Sequence, residues 1–239
     1  MKQSNQTGLI ILGISIFAGL LFLGFFLNKS VKTYKEFERT VTVRGLAEQE
    51  HLADVVIWPI QFTQASNNLE QIYNALEDNA NRVVSFLNNH GITEDEIFVD
   101  VPVVTDRSAQ RWGGDPGGQF RYVASQSVTV YSNNVEEVRG VMREISELGR
   151  QGVTISGEDY QFRTEYLFTR LNDIKPEMIE EATKEARKVA QKFAEDSDSR
   201  LGKIKTASQG QFSITNRDNN NPHIKNVRVV STIVYYLTD

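Results

Sequence analysis

Hydrophobic positions along the chain fall into two regimes. Leu9 to Leu27 is an unbroken apolar and small-residue run without a charge, whereas the rest alternates apolar and polar positions with the periods of strands and helices. At ~1.5 Å rise per residue the run predicts a helix of about 29 Å, the thickness of a bilayer's hydrocarbon core. Its fourteen Leu, Ile and Phe residues contribute roughly −4 to −8 kcal/mol of apparent insertion energy, which exceeds the cost of Gly13, Ser15, Gly19 and Gly24. The run is longer than the ~7 to 15 apolar residues of an export signal, and Asn28-Lys29-Ser30-Val31-Lys32 after it has no small-x-small cleavage site. The expectation is an uncleaved anchor, with residues 1–8 as a cap, 9–27 in the membrane, 28–38 as a polar stalk and 39–239 as the folded part.

Beyond the stalk, Thr40 to Arg44 is a β-branched run ended by Gly45, and Val56, Trp58, Ile60 and Phe62 alternate on one face. The two segments predict a β-hairpin, and Pro59, with no N–H to give a ladder, places its strand at an edge or a bulge. Leu69, Ile72, Tyr73, Leu76, Ala80, Val83, Val84 and Leu87 stripe a helix, with Asn67 and Glu70 as a capping pair and Gly91 as its C-terminal cap. Ile97, Val99, Val101 and Val103 alternate as a strand, and Tyr122 to Tyr131 supplies the partner of a second hairpin.

The order then returns. Val135, Val138, Val141, Met142, Ile145 and Leu148 stripe a second helix ending near Gly149, and a strand follows over Val153 to Thr164. A third helix opens at Pro176 and carries Met178, Ile179, Ala182, Ala186, Val189, Ala190 and Phe193 on one stripe. Strands over Gly202 to Ser213 and Val227 to Leu237 finish the chain. This repeated helix-strand-strand arrangement predicts an α+β fold, helices packed on antiparallel sheets, in one domain open to division into two lobes.

Composition adds bounds. With 239 residues and 40% hydrophobic side chains the chain can bury a core. Beyond residue 36 it holds 22 basic and 30 acidic residues, a net charge of −8, which argues against nucleic acid as a partner. Lys29, Lys32 and Lys35 follow the apolar helix while Lys2 alone precedes it, so the positive-inside rule by itself keeps the folded part in the cytoplasm. The chain has no cysteine to take a lipid, and that absence suits either side of a membrane.

Candidate chemistry is sparse. His51, His90 and His223 are far apart, none has a second ligand at metal spacing, and His90 at a helix end is explained by the helix dipole, so no metal site is expected. There is no thiol nucleophile, G-x-S-x-G elbow, phosphate loop or H-E-x-x-H helix. Glu94 with Glu96, Asp100 with Asp106, and the third helix's Glu180, Glu181, Lys184, Glu185, Arg187, Lys188 and Lys192 read as solvated charges. Residues 106–119 form a Gly-rich hairpin tip in which Arg107, Arg111 and Trp112 are candidate interaction anchors. Ser213 to Pro222 reads as a mobile polar loop. No catalytic residue and no cofactor are expected.

One further pattern runs through these segments: Val41-Thr42-Val43-Arg44-Gly45 with Ala53-Asp54-Val55, Asn89-His90-Gly91-Ile92, Arg121-Tyr122-Val123-Ala124-Ser125, and Glu185-Ala186-Arg187-Lys188-Val189-Ala190 leading to Leu201-Gly202-Lys203-Ile204. In this order the chain resembles the SIMPL-domain family, DUF541, of mostly bacterial exported proteins, from about Thr40 onward. It departs at Arg121, where the family usually has Gly before Tyr, and at Trp58-Pro59. The resemblance implies an α+β fold, a periplasmic or cell-surface location against the lysine bias, assembly into oligomers in some members, general links to envelope stress, and no established catalytic residue or cofactor. The expected function is therefore a non-enzymatic module, anchored in the inner membrane with its C-terminal domain outside the cytoplasm, that forms homo-oligomers or binds an envelope partner. A small-ligand-binding or sensing domain is the alternative.

Overall fold

The computed structural model describes residues 3–36, 39–109, 119–156 and 163–238. Helix α1 spans Gln3–Glu36. The stalk is therefore helical as far as Glu36, because residues 28–36 contain neither Gly nor Pro to end the helix. From Ile10 to Leu27 the large apolar side chains are 56–67% exposed, so they touch almost no protein, and Ile10–Ser30 is long and apolar enough to cross a membrane.

The remaining elements are β1 (Thr40–Leu52), β2 (Val55–Ser66), α2 (Leu69–Asn89), β3 (Ile97–Val99), β4 (Val103–Asp106), β5 (Tyr122–Ser132), α3 (Val135–Glu144), α4 (Ser146–Arg150), β6 (Glu165–Leu167), α5 (Leu171–Asp196), β7 (Arg200–Gln209), β8 (Ser213–Asn216) and β9 (Ile224–Thr238). They form the expected α+β fold, with antiparallel ladders in two sheets ordered β1-β9-β7 and β3-β5-β2-β6; β8 also pairs with β9 and β4 with β5. The chain divides into two compact units, one of Met1–Gln49, Ile174–Ser213 and Arg228–Asp239, the other of Glu50–Asp173 and Ile214–Val227.

In the first unit the alternation of β1 turns Val43, Gly45 and Ala47 toward cover, and Val43 packs with Ala186, Ala190, Ile233 and Tyr235. Small residues let α5 lie close on the strand: a Cβ added to Gly45 would sit 1.8 Å from the Ala182 carbonyl oxygen and 2.5 Å from the Ala186 nitrogen. In the second unit Val56, Trp58, Ile60 and Phe62 of β2 meet Ile72, Leu76, Val83 and Leu87 of α2, with Val128 and Val130 of β5 and Val138, Val141 and Leu148 completing the core.

Several expectations change in detail. β1 and β2 are not a hairpin, since β1 pairs with β9 while β2 pairs with β5 and β6. Local sequence shows two strands and a turn but not the distant partner that wins each of them. β2 is an inner strand between β5 and β6, not an edge, and Pro59, opposite Thr129 of β5, lies beyond the last described β6 pair, Ile57 with Glu165. The helix cap is Asn68, whose Oδ1 accepts from the Glu70 and Gln71 N–H groups; Asn67 instead accepts from the Arg121 N–H. The second helix breaks at Ile145 and its last piece, α4, ends at Arg150, beside Gly149 as expected, with Gly152 at a positive φ of 88° just beyond the cap. Of the strand expected over Val153 to Thr164, Ile155 makes a bridge and residues 157–162 lie outside the described residues. α5 begins five residues before Pro176. Ser213 to Pro222 starts as β8 and closes in a turn around Asp218, whose Oδ1 accepts from the N–H groups of Asn220 and Asn221 at 2.8 Å.

Candidate functional site

α2 ends in a cap that determines where His90 points. Gly91 takes φ +94° and the Ile92 N–H reaches back to the Leu87 carbonyl at 3.1 Å, which closes the helix just past the histidine. His90 Nδ1 is 2.8 Å from the Phe86 carbonyl oxygen. A carbonyl only accepts, so Nδ1 carries the proton and Nε2 faces away from the helix. It faces Glu144 at the end of α3 and Glu147 in α4, with Nε2 3.4 Å and 4.0 Å from their Oε2 atoms. The Phe86 carbonyl first, and then the carboxylates of Glu144 and Glu147, raise the His90 pKa above its ordinary value, against the effect of burial.

Beside His90 runs a groove of about 450 Å³, lined by Asp78, Asn81, Arg82 and Ser85 of α2 and by Glu147 and Gln151. Arg82 Nη1 donates to the Gln151 carbonyl at 2.6 Å and ties α2 to the end of α4. The sequence singled out His90 alone. Glu144 and Glu147 escaped because they belong to another helix, and a three-residue spacing of glutamates is too common to announce a site.

The other candidates do not converge. Asp106 receives Nε and Nη2 of Arg121 at 3.2 and 2.8 Å, and that guanidinium holds its carboxyl well below the usual range. The Arg121 guanidinium also lies 4.8 Å from the Tyr122 ring centre, a partner for the residue that departs from the family pattern. Asp100 accepts from Ser127 Oγ at 2.5 Å, and Glu96 caps Thr93. Arg107 opens a single 3-10 turn and donates its backbone N–H to the Arg121 carbonyl, while Arg111 and Trp112 lie outside the described residues. His51 stacks on Phe168 with ring centres 5.1 Å apart, and His223 is buried in an edge-type contact with Tyr166, ring centres 6.0 Å apart. Burial, and then Arg139, lower the His223 pKa. Lys225 is buried, donates Nζ to Asn216, and is pushed down in pKa by that burial. On α5 the charges form a solvated ladder in which Glu180 meets Lys184 at 2.6 Å and Lys192 meets Asp196 at 2.8 Å.

The recurring motifs have structural tasks. Gly45 admits α5, Gly91 caps α2, and Asp54 accepts from the Thr169 N–H at 2.8 Å and from Arg170 Nε at 3.1 Å. Gly202 lies where a Cβ would come within 2.9 Å of the Tyr236 carbonyl oxygen, at an irregular point of the β7·β9 ladder. No curated protein matches the chain significantly. The family model described as "Protein of unknown function (DUF541)", SIMPL, matches residues 41–230, the span that holds Gly45, Asp54, Gly91 and Gly202, and the chain belongs to that family.

Proposed function

We propose that the protein is a non-enzymatic module, anchored in the inner membrane by α1, whose folded part lies outside the cytoplasm and associates with further copies of itself or with another envelope protein. The observation that carries this reading is the outer edge of the second unit's sheet. β3 and β4 pair with β5 and with no other strand among the described residues. Along this edge Phe98, Val99, Val101 and Val103 are 51–85% exposed. Four large apolar side chains within six residues exceed the scattered exposure of a typical surface and favour burial against another chain. Pro102 removes one donor from the edge, which suits side-chain docking better than unlimited strand addition.

Exposed apolar surface on α1 supports the anchor, and the exported character implied by the family resemblance supports the outward side. The engagement of Asp100, Asp106 and Glu96 in structural hydrogen bonds supports a non-enzymatic role. A reporter fused after Asp239 and sedimentation of the detergent-solubilised chain across micromolar concentrations test the reading. A cytoplasmic reporter signal, or a strict monomer with no crosslinked partner, overturns it. The groove beside α2 favours a second reading, a small-ligand-binding or sensing domain. A raised melting temperature with an envelope metabolite would support that alternative.

A further inference from the structure

Three acceptor atoms converge at the end of α2. With the proton placed on Nδ1, His90 presents the Nε2 lone pair, which faces Glu144 Oε2 at 3.4 Å and Glu147 Oε2 at 4.0 Å, and the three ligand atoms lie within 4.8 Å of one another. A protonated ring closing on a carboxylate would draw it to about 2.7–2.9 Å. Two ligand atoms held at about 2.0–2.1 Å by one tetrahedral ion are instead separated by roughly 3.3 Å. The His90–Glu144 distance is already that edge. Glu147, whose side chain is 45% exposed, closes its edge to His90 by a shift of roughly 0.7 Å, and its edge to Glu144, within 4.8 Å, by up to roughly 1.5 Å.

We propose that His90 Nε2, Glu144 and Glu147 form a binding site for a divalent first-row transition-metal ion such as Zn²⁺. One imidazole with two carboxylates is a zinc-type donor set, and the two negative charges balance the ion. The Nδ1–H donated to the Phe86 carbonyl is the outer contact that orients a metal-binding histidine. The helix cap at Gly91 fixes the histidine's backbone, so the ring is held before any ion arrives. Arg82, which also lines the groove, has a partner in the Gln151 carbonyl. A bound ion fastens α2 to α3 and α4 and leaves a coordination position open to the groove for water or a small donor ligand.

The test uses the untagged full chain in detergent micelles, stripped with a chelator and titrated with Zn²⁺ alone by calorimetry, then with Co²⁺ by visible absorption. One saturable site per chain in about the micromolar range, with the absorption of four-coordinate Co²⁺, is expected. Both His90→Gln and the double variant Glu144→Gln with Glu147→Gln should weaken Zn²⁺ by about tenfold or more. Absence of saturable binding below about 1 mM, or a smaller loss in either variant, overturns the proposal. If His90→Gln fails to fold, the carboxylate variant, whose side chains are the more exposed, decides alone.

Discussion

Replacing Gly45 by alanine puts a methyl group into the contact between β1 and α5. Its carbon would lie 1.8 Å from the Ala182 oxygen and 2.5 Å from the Ala186 nitrogen, the two groups that an α-helix bonds to each other. Ordinary contact begins at 3.4 Å, so the helix has to withdraw by roughly 1.5 Å or lose that bond. Withdrawal opens a gap along Val43, Ala182, Ala186 and Ala190, all at most 3% exposed. The lost contacts cost about 3 kcal/mol, offset in part by the ~0.5 kcal/mol that alanine gains over glycine through the unfolded chain. Urea unfolding of the full chain in a mild detergent, followed by far-ultraviolet dichroism, should show the midpoint falling by about 1 M. Gly140 provides the internal control: it lies inside α3 with nothing within 4 Å of an added Cβ, so Gly140→Ala should stabilise by about 0.5–1 kcal/mol. A Gly45→Ala protein within about 0.5 kcal/mol of the wild type refutes the close approach of helix and strand.

Two further outcomes follow from the surface. The double variant Val101→Lys with Val103→Lys places charge on side chains 85% and 65% exposed, so it should leave stability within about 0.5 kcal/mol while sedimentation shows association lost. Asp218 is held down to about 2, first by Asn221 and then by Arg217, so its contribution is full above its ordinary value of 3.8 and is lost as pH falls toward about 2. The melting-temperature difference between wild type and Asp218→Asn should therefore narrow between pH 4 and 2 and stay level above pH 5; a difference that widens on acidification contradicts this ion pair.

Much of the architecture is legible in the chain because it is local. The α1 run, the alternation of Val56, Trp58, Ile60 and Phe62, and the stripe from Ile72 to Leu87 reappear as the predicted elements and faces. Pairing is less legible. Nothing near Thr40 announces that β1 will choose β9, nearly two hundred residues on, over the adjacent β2. Boundaries slip where one residue has two plausible uses: Asn67 and Asn68 both suit a cap, and Pro176 suits a first turn but lies in the sixth position of α5. Gly45 reads as the end of a strand, while its task is to let a helix pass. The site was hidden for the same reason as the pairing. His90 was visible at its helix end, but Glu144 and Glu147 reach it only through the packing of separate helices, 54 and 57 residues further along the chain.

Outward-facing association through the β3 and β4 edge is the central claim, and the absence of cysteine makes it open to one measurement. Val101→Cys gives a chain with a single, highly exposed thiol at the middle of that edge. Intact cells treated with a short, membrane-impermeant bis-maleimide should yield a covalent dimer without lysis. A monomer before and after lysis contradicts self-association through this edge, and a dimer formed only after lysis contradicts the outward orientation.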